Sequence, residues 1–174
     1  MYISKIAFEK IKEFEGCKLQ AYQDAAGVWT IGYGHTYNVR QGDKISQQYA
    51  DMLLQGDIEN VERQLIALHD PEVGCWTKAQ LDAVVCFALN VGMQRWRTST
   101  LRKCIMQDKP AWLITKEWKR WVYAGGKQLP GLVKRRDWEA DRFSLSLTPS
   151  QGRGKEPTNE QKGEESQAWN KNYE

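Results

Sequence analysis

Residues 14–42 read FEGCKLQAYQDAAGVWTIGYGHTYNVRQG, and this stretch decides how the chain folds. Just upstream, Ile3, Ala7, Ile11 and Phe14 recur at helical spacing, with Ser4 placed to cap the first turn and Gly16 to end the last. The spacing predicts a helix that stops at Glu15, which leaves that carboxyl at the negative end of the helix dipole. From Gly16 to Gly42 the helical period gives way to short aromatic and β-branched runs broken by Gly27, Gly32, Gly34 and Gly42. Such runs between glycines predict a small antiparallel sheet.

Further along, Ser46 is placed to cap a long helix whose apolar face runs through Ala50, Leu53, Leu54, Ile58, Val61, Leu65 and Leu68 and stops before Pro71. This helix would join a small lobe to a larger one. Thr77 to Val91 has hardly a polar side and reads as the central helix of the larger lobe. Shorter helices are expected from near Ser99, from near Pro110, and from Pro130 to about Phe143, with Gly125 and Gly126 breaking the chain between the last two. The expected class is therefore α+β, two-lobed, with an all-helical larger lobe. From Thr148 to Glu174 the composition turns to Gly, Pro, Gln, Glu, Lys and Asn, too polar to offset its ordering entropy. A domain over 1–147 followed by a polar disordered tail over 148–174 is the expected division.

With 174 residues, the chain is long enough for one cooperative core, or a small lobe beside a larger one. Its 25 basic and 22 acidic residues leave a net charge of +3 spread along the sequence, which argues against a nucleic-acid-binding arm and suits an anionic polymer. The start alternates charged and apolar residues too closely for a signal peptide, and no apolar run is long enough to span a bilayer, so a soluble cytoplasmic protein is expected. Cys17, Cys75, Cys86 and Cys104 form no CxxC pair and have no histidine partner for a metal, so they read as free thiols.

Glu15 and Asp24 are the natural acid–base pair. The dipole at Glu15, and an apolar cleft beside Phe14, both favour a carboxyl that keeps its proton. Read as one strand, residues 27–35 place Val28, Thr30 and Gly32 on one face and Trp29, Ile31, Tyr33 and His35 on the other. A glycine beside the Thr30 hydroxyl then leaves room for a ligand against the backbone. Asp57 falls on the apolar stripe of the long helix, where a charge needs a partner, and a structural His35–Asp57 ion pair answers that need. Trp112, Trp118, Trp121 and Trp138 lie in helical segments and read mainly as packing residues.

Phe14-Glu15-Gly16, Ala21-Tyr22-Gln23-Asp24, Thr30 to Thr36 and Gly42 together resemble the phage-type lysozyme family of endolysins. The likeness continues through Asn90-Val91-Gly92, Ser99-Thr100-Leu101, Trp121, Ala124 to Lys127 and Leu129 to Leu132, and so covers roughly Ile3 to Phe143. In that family the catalytic Glu, Asp and Thr are separated by eight and then five residues, and Glu15, Asp24 and Thr30 keep both gaps. The resemblance implies a two-lobed α+β fold and hydrolysis of the bond between N-acetylmuramic acid and N-acetylglucosamine in peptidoglycan. It also implies that neither a metal nor an organic cofactor is needed, that the enzyme is monomeric, and that it reaches the periplasm from the host cytoplasm through a holin. Gly32, Tyr33, Gly34, Asn90, Gly125 and Gly126 are the substrate contacts it implies. In part of the family an arginine two residues past the late proline approaches the glutamate. Leu132 stands there in this chain, and Arg135 or Arg136 are the candidates to replace it.

On this reading Glu15 protonates the glycosidic oxygen while Asp24 and Thr30 hold a water on the opposite face, which inverts the anomeric centre. Two rivals keep part of the pattern. A lytic transglycosylase would retain the acid without needing Asp24 and Thr30 together, and a peptidoglycan-binding module without catalysis would need none of the three.

Overall fold

A computed structural model describes residues 3–68 and 76–145. The expected tail over 148–174, and Cys75, lie outside them. The first helix, α1, runs Lys5–Glu15, with the Ser4 side chain accepting from the Ala7 amide and Gly16 closing the last turn through a bond to the Lys12 carbonyl. Its buried face is Ala7 and Ile11.

Two strands follow, β1 (Lys18–Gln23) and β2 (Trp29–Gly32), paired antiparallel with Tyr22 opposite Thr30 and an irregularity between Lys18 and Tyr22. The returning chain adds a bridge from Lys44 to Gln20 on the other edge of β1. The expectation that one strand continues to His35 is corrected here. After Gly32 the chain reverses, and Ile31 and His35 exchange backbone bonds at 2.9 and 3.0 Å. Gly32 and Gly34 both have positive φ, at 63° and 96°, so the two glycines that space Tyr33 form a turn rather than a strand interior.

The long helix α2 spans Gln47–Ala67 from its Ser46 cap and buries Ala50, Leu54, Ile58, Val61 and Leu65. Next comes α3 (Lys78–Val91), opened by a capping box in which Thr77 and Gln80 satisfy each other's backbone amides. Asp82 to Ala88 are buried along it. Three shorter helices, α4 (Met93–Thr98), α5 (Thr100–Met106) and α6 (Ala111–Lys119), lead to a hairpin of β3 (Tyr123–Ala124) and β4 (Lys127–Gln128). That hairpin is an addition to the all-helical larger lobe expected from sequence. The last helix, α7 (Pro130–Ser144), packs chiefly on α3 and α6.

The core lies in the larger lobe around Phe87, whose ring meets Trp96, Trp118 and Trp121 edge-on at centroid distances of 6.0, 5.6 and 5.2 Å. Trp118 is fully buried, in keeping with tryptophans used for packing. Among the described residues Cys17, Cys86 and Cys104 are free thiols. No helix among them is long and apolar enough to cross a membrane.

Candidate active site

Glu15 is held from both ends of its helix. At the start of α1, Asp82 of α3 accepts from the Ser4 amide at 2.7 Å and from the Ser4 hydroxyl at 2.6 Å, while Arg142 of α7 donates to the same carboxylate at 2.7 Å. At the far end, Arg135 Nη1 donates to Glu15 Oε1 at 2.6 Å, across a separation of 120 residues. Arg135, and not Arg136, is thus the arginine that reaches Glu15. It does so from one turn beyond Leu132, because α7 presents residues 132 and 135 on neighbouring positions of one face. Of the two Glu15 carboxylate oxygens, Arg135 engages Oε1.

Arg135 is itself 3% exposed and is fixed by two further bonds, from Nε to Glu139 Oε1 at 3.2 Å and from Nη2 to the Cys86 carbonyl at 2.9 Å. Burial works against its charge, but the neighbouring Glu15 and Glu139 carboxylates more than reverse that effect and raise its pKa. Arg136, fully buried, is lowered by the same desolvation, and burial likewise pushes up the Glu139 carboxyl against the pull of Arg136 and Arg135. The Cys86 thiol is pushed well up by burial and then by Glu139, so it stays a neutral packing group.

Two cavities meet at Glu15. One, of about 760 Å³, is lined by Phe14, Asn90, Leu132, Arg135 and Trp138 among others, and the second, of about 360 Å³, by Tyr33, Gly34, His35, Asp57 and Leu89 among others. Leu132, with its short apolar side chain, forms part of the wall of the larger one. Glu15 is thus a half-buried carboxyl shared by the linings of two open, mixed polar and apolar cavities.

Asp24 and Thr30 lie outside the lining of both cavities. Asp24 is exposed, and its Oδ1 accepts from the amides of Ala26 at 2.8 Å and Val28 at 2.9 Å, which ties the turn between β1 and β2. Its other oxygen is left for a ligand or a water. Thr30 is 3% exposed and donates to the Val28 carbonyl at 3.0 Å. The turn therefore gives both residues a structural job, Asp24 in the link between the strands and Thr30 on β2, the strand that packs on α2.

His35 Nδ1 stands 2.9 Å from Asp57 Oδ2, and its Nε2 stands 3.1 Å from the Tyr37 carbonyl. Tyr33, beside it, is tied elsewhere: its hydroxyl donates to Asp51 Oδ1 at 3.0 Å, and Lys12 of α1 reaches Asp51 Oδ2 at 2.9 Å. The Lys12 hydrogen bond holds the Asp51 carboxyl below the usual carboxylate range against burial, with Gln47 and Tyr33 adding to it, and the same bond raises Lys12. Burial, followed by Asp51, raises the Tyr33 phenol.

Of the expected substrate contacts, Tyr33, Gly34 and Asn90 line the cavities beside Glu15. Gly32, Gly125 and Gly126 do not. A Cβ on Gly32 would lie 3.5 Å from Ala50 Cβ, so what comes close to that backbone is α2. Gly125 and Gly126, at φ 56° and 76°, form the two-residue turn of the β3–β4 hairpin. Sequence reasoning missed Glu139. The signal was present, because Glu139 sits three and four residues after Arg136 and Arg135 on a stripe shared with Ala140 and Phe143, the same pattern of a charge on an apolar stripe that singled out Asp57.

The phage lysozyme family model matches residues 12–139. An endolysin from Acyrthosiphon pisum secondary endosymbiont phage 1 is 40% identical over 149 residues, which cover 82% of this chain and 98% of that protein. Among solved structures, the muramidase domain of SpmX from Asticaccaulis excentricus superposes with a TM-score of 0.72 at 32% identity, covering 84% of this chain and 98% of that one. An endolysin from Escherichia coli O157:H7 phage FAHEc1 superposes with a TM-score of 0.66 at 29% identity, covering 86% and 97%. With sequence and fold agreeing over the stretch that carries Glu15, Asp24 and Thr30, the chain belongs to the phage lysozyme family.

Proposed function

We propose that Glu15 is the general acid of a muramidase that hydrolyses the β-1,4 bond between N-acetylmuramic acid and N-acetylglucosamine in bacterial peptidoglycan. The glycoside hydrolase class and the peptidoglycan substrate come with family membership, and the endolysin relatives support a role in phage lysis. The observation that carries the assignment is the placement of Glu15 where two cavities meet, with Oε1 held by Arg135.

The glycan runs from one cavity to the other, so that the scissile oxygen lies against the Glu15 carboxyl. As the proton moves to that oxygen, Glu15 gains a negative charge, and the buried guanidinium of Arg135 compensates it in place. Asp24, steadied by its turn and backed by Thr30, orients a water on the opposite face of the sugar, and the anomeric centre inverts. Tyr33, Gly34 and Asn90 supply contacts along the glycan. The enzyme acts as a monomer, is held in the host cytoplasm, and reaches the periplasm through a holin.

Digestion of purified peptidoglycan tests this reading. Mass spectrometry should find hydrated muramic acid ends, and proton NMR during the first turnovers should find the α-anomer accumulating before mutarotation. Anhydro ends would identify a transglycosylase instead, a β-anomer would remove the inverting role of Asp24, and intact glycan strands would leave only a binding module.

A further inference from the structure

We infer that Glu139 is a positioning residue that sets two cleft side chains at once, Glu15 through Arg135 and Asn90 through Arg136. The inference rests on the reading of Glu15 as the acid. Glu139 is 0% exposed and stands at the centre of a branched network. Its Oε1 accepts from Arg135 Nε at 3.2 Å and from Arg136 Nη2 at 3.2 Å, and its Oε2 accepts from the Trp118 indole at 2.8 Å and lies 3.0 Å from Arg136 Nε.

Each arginine passes that constraint outward. Arg135 ends on Glu15 Oε1 at 2.6 Å, and Arg136 Nη2 ends on the Asn90 side-chain oxygen at 2.8 Å. Because Asn90 gives its oxygen to Arg136, its amide NH₂ is left as the donor at the wall of the larger cavity. One carboxylate therefore fixes the acid and turns a neighbouring amide toward the glycan.

The charges make Glu139 more than one contact among several. Two adjacent arginines, 3% and 0% exposed, repel each other, and Arg136 has no other acidic partner among the described residues. Its Nε and Nη1 make no hydrogen bond of good geometry there, and its guanidinium lies over the Phe87 ring at 4.7 Å. Without the Glu139 charge the pair would have only Glu15 to neutralise it, so both guanidiniums would move and carry Glu15 and Asn90 with them. Trp118 on α6 and Cys86 on α3 complete the wall around the carboxylate.

The test compares Glu139→Gln, Glu139→Asp and Glu15→Gln with wild type on purified glycan strands, with activities taken per folded molecule at a temperature where each is native. The Arg135 branch predicts that Glu139→Gln lowers kcat by about tenfold to a hundredfold, the cost of misplacing an acid by a fraction of an ångström to an ångström. The Arg136 branch predicts a separate rise in KM. Glu139→Asp, which restores the charge, should recover most of kcat. A carboxylate that only stabilises the core would lower the melting temperature and leave kcat and KM at wild-type values, which overturns the inference. If Glu139→Gln does not fold, Trp118→Phe frees Oε2 while keeping the charge; the same split at smaller size supports the inference, and unchanged kcat and KM overturn it. Loss of activity in Glu15→Gln alone, with Glu139→Gln like wild type, sinks only this inference, whereas an active Glu15→Gln sinks the reading beneath it.

Discussion

Glu15 and Asp24 are two carboxylates assigned to the same reaction, and the molecule holds them in opposite ways. Glu15 is half-buried and fixed by a guanidinium 120 residues away, which is in turn fixed by Glu139 and the Cys86 carbonyl. Asp24 is exposed and fixed by amides two and four residues away. The acid depends on the assembly of the whole helical lobe, while the water side depends on one turn. On the proposed roles, the chemistry that needs a proton kept in a defined place is built on the rigid side, and the chemistry that handles a water is built where water already reaches.

That contrast breaks most visibly at Arg135. Replacing it with Met leaves the half-buried Glu15 without its counter-ion and the buried Glu139 with Arg136 alone, and removing one partner of a buried pair typically costs about 3–5 kcal/mol. Urea denaturation should find a loss of that size, together with weak activity in whatever remains folded. A loss of under about 1 kcal/mol would place Arg135 among ordinary surface ion pairs.

Asp24→Asn should do the reverse. The amide oxygen can still accept from Ala26 and Val28, so stability should move by no more than about 0.5 kcal/mol. Activity should fall by about 10²-fold or more, the range expected when a base is removed. Equal losses of stability and activity would show that the turn, rather than the charge, is what the reaction needs.

A smaller effect is expected at the ties between the two regions. A double-mutant cycle on His35→Gln and Asp57→Asn should return a coupling of about 1 kcal/mol, since the pair joins the Gly34 turn to α2. Zero coupling would remove it as a tie.

The Lys12–Asp51 pair should contribute less, at most about 1 kcal/mol, because both groups are partly exposed. Its pH dependence has a defined sign. Asp51 is depressed in the fold, so its share is present above the unfolded value near 3.9 and is lost as pH falls through the lower folded value. Lys12 is raised, so its share is present below the unfolded value near 10.4 and is lost as pH rises through the higher folded value. Thermal melts of wild type and Asp51→Asn should therefore differ at neutral pH and converge in acid. A difference that persists below about pH 2 would come from packing instead.

The same contrast explains what could be read from the sequence. α1, the Ser46-capped α2 and the central α3 were legible because caps and apolar spacing are local signals. Asp24 and Thr30 stand out in the sequence for the same reason, lying inside one short motif, and their roles are those proposed above. The partner of Glu15 was not legible, because it comes from the last helix, and choosing between Arg135 and Arg136 requires the packing of α7 on α3. Residues 27–35 were misread as one strand because alternation was weighed above the two glycines, whose positive φ turns the chain. The hairpin at Gly125-Gly126 was missed because strands of two residues each are too short to carry a period.

The central claim is that Glu15 supplies the proton, and the most direct test is Glu15→Gln, with turnover measured on purified peptidoglycan beside a thermal melt. The glutamine keeps the size of the side chain and can still accept from Arg135, but it has no proton to give. The account predicts a folded protein whose activity is lower by about 10⁴-fold or more, the upper end of general-acid assistance. A folded Glu15→Gln that turns over within about tenfold of wild type, less than the smallest usual acid contribution, would contradict it.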